Sequence, residues 1–155
     1  IEKILLLSDE MLEQKAQDPR IIRNLNKVFT IRDNALMIYH LQREHGSFAR
    51  FIADWPTSDI IGLWAYLKKH GARLGGNTGA YALRAMGKDT FLLTQVVEAY
   101  LKAYGVFDGG LNSKRSQQQI QQQFNQWQVE SGLSLQEISQ IVSYSVGENI
   151  VGMQQ

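Results

Sequence analysis

The sequence predicts an all-α fold of about seven helices. In most segments apolar residues recur at three- and four-residue spacing, and Ser, Asp or Asn precedes and glycine follows many of these segments. No segment shows the sustained apolar–polar alternation, bounded by turns, that predicts a strand. At 155 residues, with no repeat of fixed period and no linker, the chain is predicted to form a single helical domain over residues 1–155.

The helix boundaries follow from capping residues and helix-ending residues. In chain order, the candidate N-caps are Ser8, Asp18 (with Pro19 as the first helical residue), Ser47, Ser58 and Asn77. The candidate ends are Gly46, Pro56, Gly71, Gly87 and Gly105. These signals predict a long helix up to Gly46, a short one after Ser47, and two helices joined by a glycine turn over about 58–87.

The second half of the chain is predicted to hold the remaining helices. The segment DTFLLTQVVEAYLKAYG is predicted to be helical because it has one apolar stripe, formed by Phe91, Leu92, Val96, Ala99 and Tyr100. The Gln-rich segment is also predicted to be helical, since Ile120, Phe124 and Trp127 share one face. Two pairs have the spacing of capping boxes, Ser116 with Gln119 and Ser134 with Glu137.

Composition bounds the function only loosely. Hydrophobic residues make up 44% of the chain, charged residues make up 20%, and the net charge is +1, as in an ordinary soluble protein. The absence of cysteine excludes disulfides and thiolate metal sites. No apolar run approaches a membrane span, so no membrane partner is expected. A cytoplasmic location, associated with the nucleoid in a bacterium, is expected, and the Ile start suggests that a native amino-terminal segment is missing.

The stretch HGARLGGNTGAYALRAMGKD, residues 70–89, holds the candidate site. Residues 60–88 contain five cations and no acid, whereas the whole chain nets only +1. The cations are Lys68, Lys69, Arg73, Arg84 and Lys88. Gly75 and Gly76 let the backbone approach another molecule, and Asn77 and Thr78 begin a helix whose free amides favour an anion. A phosphate is the expected anion. The alternative is that the glycines only allow a sharp turn and that the lysines complement a helix end.

These residues resemble the methyladenine DNA glycosylase I family, within the helix-hairpin-helix glycosylases. The stretch RLGGNTGAYALRAMGKDTFLL carries the resemblance, with DPRIIRNLNKVFTIRDNA and HGSFARFIADWP upstream and NSKRS…FNQWQVESGLSLQEISQIVSYSVG downstream. The resemblance implies a helix-hairpin-helix motif at about 58–87 and removal of alkylated purines, of the 3-methyladenine type, from double-stranded DNA. It implies that the damaged base is flipped into a pocket.

The resemblance also assigns roles to residues. The predicted DNA-phosphate site consists of Gly75, Gly76, Asn77, Thr78 and Gly79, with Arg73 and Arg84 as supporting cations. Further candidate DNA contacts are Lys68, Lys69, Lys114 and Arg115. Much of the superfamily has an aspartate after the hairpin, but Thr94, Gln95 and Val96 offer no carboxylate there. Glu98 is displaced and is expected to be an ordinary helix residue, so no catalytic residue is assigned.

Other candidate sites have simpler interpretations. His40, His45 and His70 do not form a metal-ligand pattern, so zinc is not expected. No cofactor is expected, and the alternative left open by the resemblance is a monovalent cation coordinated by hairpin carbonyls. Trp64, Tyr66 and Tyr81 could stack on bases, but their helical spacing favours the core. Two alternatives to a glycosylase remain: a non-catalytic helix-hairpin-helix DNA-binding protein or inactive fragment, and a helical protein-interaction domain.

Overall fold

The computed structural model describes residues 1–146 and confirms the all-α class. Over that range it has nine α-helices, rather than about seven, together with a 3₁₀ helix at Thr57–Asp59, and it has no strand. The α-helices are α1 (Glu2–Leu5), α2 (Asp9–Ala16), α3 (Leu25–His45), α4 (Phe48–Asp54), α5 (Ile60–His70), α6 (Asn77–Ala85), α7 (Gln95–Ala103), α8 (Lys114–Ser131) and α9 (Leu135–Tyr144). Within residues 1–146 no helix combines the length and apolar character needed to cross a bilayer.

Several local capping signals behave as predicted. The Ser8 and Ser47 side chains accept hydrogen bonds from the amides three residues on, at the starts of α2 and α4. Ser134 and Glu137 form both halves of a capping box at α9. Gly46 ends α3 with φ of 77°. At these three helix starts, residues three positions apart are sufficient to predict the boundary.

The predicted start of the long helix is wrong by six residues. Asp18 does not cap a helix, because its carboxylate accepts the Arg20 amide at 3.0 Å and pairs with the Arg20 guanidinium at 2.7 Å. This local turn competes with helix formation. Asn24 is the N-cap of α3 instead, and its Oδ1 accepts the Lys27 amide at 3.1 Å.

Two other predicted caps are displaced. Ser58 lies inside the 3₁₀ helix, and α5 begins after Asp59 without a side-chain cap. The capping box predicted from Ser116 and Gln119 does not form, because Ser113 caps α8 and buries Ser116 beneath it. Ser116 then bonds to the Ser113 hydroxyl at 2.8 Å.

Residues 88–94, here called the central segment, carry no helix although their apolar spacing predicted one. Phe91 is fully buried and stacks on Phe124 of α8, with ring centroids 4.0 Å apart. The Leu92 amide donates to Ser139 Oγ of α9 at 3.0 Å. Because side chains of other helices bond its backbone groups, this segment crosses the core without forming a helix. Helix α7 begins only after its cap, Thr94.

One buried cluster joins α3 through α9 and holds α5 and α6 in place. Each of these helices and the central segment contributes apolar side chains to it, including Leu41, Ile52, Leu63, Leu83, Phe91, Leu101, Ile120 and Leu135. Burial of such side chains contributes roughly 1.5–3 kcal/mol each. The link between α5 and α6 therefore connects two helices that are both anchored in the core.

Candidate functional site

The link between α5 and α6, residues 71–76, is here called the glycine turn. Gly71 ends α5, and its amide donates to the Leu67 carbonyl at 2.9 Å. Gly76 precedes α6 with φ of 58° and ψ of −144°, a conformation essentially restricted to glycine. Arg73 has φ of 59° and is the one non-glycine residue with positive φ among residues 1–146. The turn thus contains two left-handed backbone positions, one of them occupied by a cation at a cost of about 1–2 kcal/mol.

Two asparagine side chains hold the two ends of the glycine turn. Asn34 of α3 accepts the Ala72 amide at 2.8 Å and donates to the Ala72 carbonyl at 3.1 Å. Asn77 does the same for Leu93, with bonds of 3.2 Å and 2.9 Å. The prediction that Asn77 caps α6 is therefore wrong, because its side chain is engaged by the central segment and Gly76 is the N-cap. The turn is fixed before any ligand arrives.

The first amides of α6 have no internal partner. Among residues 1–146, no backbone or side-chain acceptor bonds the amides of residues 75–79. A helix N-terminus leaves such groups unpaired and carries partial positive charge. Thr78, the second residue of α6, is exposed at this end. These amides can donate hydrogen bonds to an anion without breaking an internal hydrogen bond.

An internal contact explains Gly79 and backbone conformation explains Gly76, whereas Gly75 has room for a Cβ at ordinary contact distance. A Cβ on the buried Gly79 would lie 2.5 Å from the Leu74 carbonyl oxygen, and one on Gly75 would lie 3.4 Å from Lys68 Cγ. At Gly76 there is open space, and only its φ requires glycine. A substitution at Gly76 would therefore strain the backbone as well as alter a ligand site.

Two of the five cations predicted around the turn point into the protein. Arg84 Nη2 donates to the Thr90 carbonyl at 2.8 Å, and burial lowers the pKa of its guanidinium. Lys88 is buried, its Nζ bonds the Ala53 and Trp55 carbonyls at the end of α4, and burial lowers its pKa. Counting Lys88 toward a positive surface is therefore wrong. Arg84 has a structural contact, and a phosphate role for it stays a prediction.

The remaining three cations lie on the surface, and two cavities flank the turn. Lys68, Lys69 and Arg73 are exposed. A cavity of about 310 Å³ between α5, the turn and α8 is lined by Lys68, Gly76, Asn77 and Lys114, among others. Lys69 and Arg115 are also exposed but line neither cavity.

The second cavity lies between the turn and α3. It has a volume of about 640 Å³, and its lining includes Lys27, Thr30, Arg73 and Thr78. Lys27 was not singled out from the sequence, because nothing local shows that the third residue of α3 faces a turn 46 positions later. The structure thus adds Lys27 to the cations near the candidate site.

The start of α7, the next helix after the glycine turn and α6, offers no free carboxylate. Thr94 caps α7, and Glu98 pairs with Lys102 at 2.8 Å one turn along the same helix. Glu98 has the position of an ordinary helix-surface residue, as its sequence context indicated.

The aromatic and histidine side chains have structural contacts. Trp64 donates to Thr90 Oγ1 at 3.2 Å, and Tyr66 stacks on His70 with ring centroids 4.3 Å apart, whereas Tyr81 is 53% exposed. His40 contacts Tyr39 and His45 contacts Phe51, and no three potential metal ligands cluster within residues 1–146.

These features together give the glycine turn the properties of an anion site. The turn is tethered, its helix-start amides lack internal acceptors, and the exposed Lys68 and Arg73 lie beside it.

The family follows from the sequence comparison. The family model for methyladenine glycosylase matches residues 1–113, and the chain therefore belongs to this family of DNA glycosylases, which hydrolyse N-glycosyl bonds. No curated protein and no solved structure matches the chain. The family match ends just before α8, so the resemblance suggested for the segment from Lys114 onward stays a prediction.

Proposed function

We propose that this protein removes alkylated purines of the 3-methyladenine type from double-stranded DNA, and that its glycine turn holds the DNA backbone beside the lesion. One observation supports the proposal above the others. The amides of residues 75–78 lack internal acceptors and lie next to the exposed Lys68 and Arg73. Membership of the methyladenine glycosylase family supplies the reaction class.

The turn is suited to positioning the DNA rather than to choosing the base. A phosphate oxygen would accept hydrogen bonds from the amides of Gly76, Asn77 and Thr78 while Arg73 provides screened attraction. Phosphate contacts carry no base information. Because flipping a base costs a few kcal/mol, a fixed grip on the flanking backbone helps to hold the distorted duplex.

The chemistry of the lesion fits a site without a free carboxylate after the hairpin. Adenine methylated at N3 carries positive charge and leaves as a neutral base, so the leaving group needs little protonation. Glu98 is already paired with Lys102. Cleavage in this proposal relies on the charge of the lesion, and no catalytic residue is assigned.

A non-catalytic DNA-binding protein is the second candidate function. The observation that favours it is the same arrangement at α7, where Thr94 is engaged as a cap and Glu98 as an ion-pair partner. Both functions require the backbone grip, and they differ only in base release.

Thr78→Asp tests the grip without straining the fold. Thr78 is exposed at the second position of α6, where an acidic side chain favours the helix by about 0.3–1 kcal/mol. The carboxylate would repel a phosphate and compete for the amides, so duplex affinity should fall by about 2 kcal/mol, or roughly 30-fold. Ala49→Asp, at the exposed second position of α4, is the matched control and should leave affinity unchanged.

Base release separates the two functions. The assay measures free methyladenine liberated from methylated duplex DNA by wild type, Thr78→Asp and Ala49→Asp. Release by wild type and Ala49→Asp, with loss in Thr78→Asp, is expected. Binding without release by folded wild type would reject the glycosylase and favour the binding protein. Equal duplex affinity of the two Asp variants at matched salt would reject the grip itself.

A further inference from the structure

The cavity between α5 and α8 has the lining of a nucleotide site. Its volume is about 310 Å³, at the lower end of the range of small-molecule pockets. One part of its wall is apolar and consists of Ile61, Trp64, Ala65, Leu93 and Leu111. The rest is polar and includes two lysines from different helices.

The two lysines give the cavity a positive rim. Lys68 comes from the last turn of α5 and Lys114 from the first residue of α8, and no Asp or Glu lines the cavity. The stem of Lys68 lies against Gly75, since a Cβ at Gly75 would be 3.4 Å from Lys68 Cγ. That contact keeps the ammonium group beside the glycine turn.

Two side-chain amides complete the lining. Asn112 and Gln117 line the cavity, and neither side chain makes a hydrogen bond to any other residue in 1–146. An uncommitted amide can donate to and accept from a base edge. The lysines thus match a phosphate, the apolar wall matches the face of a base, and the two amides match the polar edge of a base.

We propose that this cavity binds one unpaired nucleotide of the DNA strand held by the glycine turn. The inference rests on the proposed function, because Gly76 and Asn77 belong both to the cavity wall and to the phosphate site. The nucleotide's phosphate lies between Lys68 and Lys114, and its base contacts the apolar wall at Trp64.

Charge makes this nucleotide a different one from the lesion. Adenine methylated at N3 is a cation, which Lys68 and Lys114 repel. A neutral base with its anionic phosphate is attracted by the same two groups. The cavity therefore selects an undamaged nucleotide near the lesion and is separate from the pocket for the alkylated base.

The site also depends on residues beyond the family match. Lys114 and Gln117 belong to α8, whereas the methyladenine glycosylase match ends at residue 113. This chain's own α8 thus supplies one side of the nucleotide site.

Two single-stranded probes test the inference. One is a single-stranded oligonucleotide of eight thymidines, and the other is an oligonucleotide of the same length in which every sugar is abasic. Wild type should bind the thymidine probe about tenfold more tightly, because base–aromatic contact adds to the backbone attraction. Ala65→Phe fills the cavity from an exposed position of α5 and should remove this preference while retaining binding to the abasic probe.

A pair of neighbouring lysines provides a second test that does not depend on filling the cavity. Lys68→Gln and Lys69→Gln remove the same charge from adjacent exposed positions, but only Lys68 lines the cavity. Lys68→Gln should weaken binding of both probes more than Lys69→Gln does, and should lower the slope of log affinity against log salt by about 0.7.

The outcomes separate this inference from the proposed function. A thymidine preference that is absent in wild type, or that survives in folded Ala65→Phe, overturns the nucleotide site, as does equal weakening by the two Lys→Gln changes. If Thr78→Asp still lowers duplex affinity in that case, the backbone grip stands alone. If Thr78→Asp leaves duplex affinity unchanged, the backbone grip of the proposed function is rejected, and the nucleotide site that rests on it is rejected too.

Discussion

Replacing Arg73 by glycine should stabilise the fold and weaken DNA binding at the same time. Arg73 has φ of 59°, which costs an L-residue about 1–2 kcal/mol. Glycine removes that cost but adds about 0.5–1 kcal/mol of backbone entropy in the unfolded chain. The expected net change is a gain of about 0–1.5 kcal/mol in the free energy of unfolding, centred near 0.75.

The same replacement removes one exposed cation from the candidate phosphate site. Loss of one phosphate contact should lower the slope of log affinity against log salt by about 0.9 for duplex DNA. At about 0.1 M salt, that change corresponds to an affinity loss of about eightfold. A strained backbone position that is retained at the expense of stability is the pattern expected of a residue with a binding role.

Urea denaturation and fluorescence anisotropy with a labelled duplex at several salt concentrations measure the two effects. Arg73→Lys is the control, because it keeps both the charge and the left-handed backbone. Arg73→Lys should resemble wild type in stability and salt slope. If Arg73→Gly retains the wild-type salt slope and affinity, Arg73 does not contact phosphate and the strain has another cause.

Three further outcomes follow from side chains that hold the site or the helices around it. Asn34→Ala should lower the free energy of unfolding by about 1–3 kcal/mol, because it unpairs both backbone groups of the part-buried Ala72. It should also weaken duplex binding in the anisotropy titrations. Unchanged affinity would show that the turn keeps its shape without the Asn34 hydrogen bonds. Lys88→Met should lower the free energy of unfolding by a similar amount in urea denaturation, while the folded protein keeps its DNA affinity. A drop in affinity would indicate that Lys88 contributes to DNA binding. Hydrogen bonds from the Ser134 side chain and then its amide lower the pKa of the Glu137 carboxyl, so its contribution to stability is present above about pH 4.5 and is lost as pH falls through the lowered pKa. The stability advantage of wild type over Glu137→Gln should therefore shrink between about pH 6 and pH 3 in thermal melts, and a constant advantage would refute the assignment.

The elements that the sequence predicted correctly are those set by neighbours in the chain. Ser8, Ser47 and Ser134 cap helices as expected, because the bonded amides lie three residues away. The helices on either side of the glycine turn were predicted as elements, although the caps predicted for them, Ser58 and Asn77, are wrong. The all-α class follows from the sum of such local signals.

The errors arise where distant residues compete for the same groups. Asn77 has the sequence context of a cap, yet Leu93 of the central segment engages its side chain. The central segment has helical spacing, yet α9 and α6 satisfy its backbone from outside. Local propensity gives way in both cases to partners at least 16 positions away, which a single sequence does not reveal.

The charge pattern around the site was predicted only in part. The acid-free stretch predicted a site at the glycine turn, and all five of its cations counted toward the local positive charge, although only Arg73 and Arg84 were assigned to the phosphate site. Lys88 is in fact a buried partner of the α4 carbonyls, whereas Lys27 reaches the turn from α3. Which lysine faces solvent at the turn depends on packing, and packing depends on the tertiary fold.

An NMR titration of ¹⁵N-labelled protein with a short DNA duplex tests the backbone grip most directly. The amide signals of Gly75, Gly76, Asn77 and Thr78 should shift first and saturably, because these groups have no internal acceptor. The shifts should weaken as salt rises. If the duplex binds and these four amides stay unmoved while signals elsewhere shift, the glycine turn does not hold the DNA.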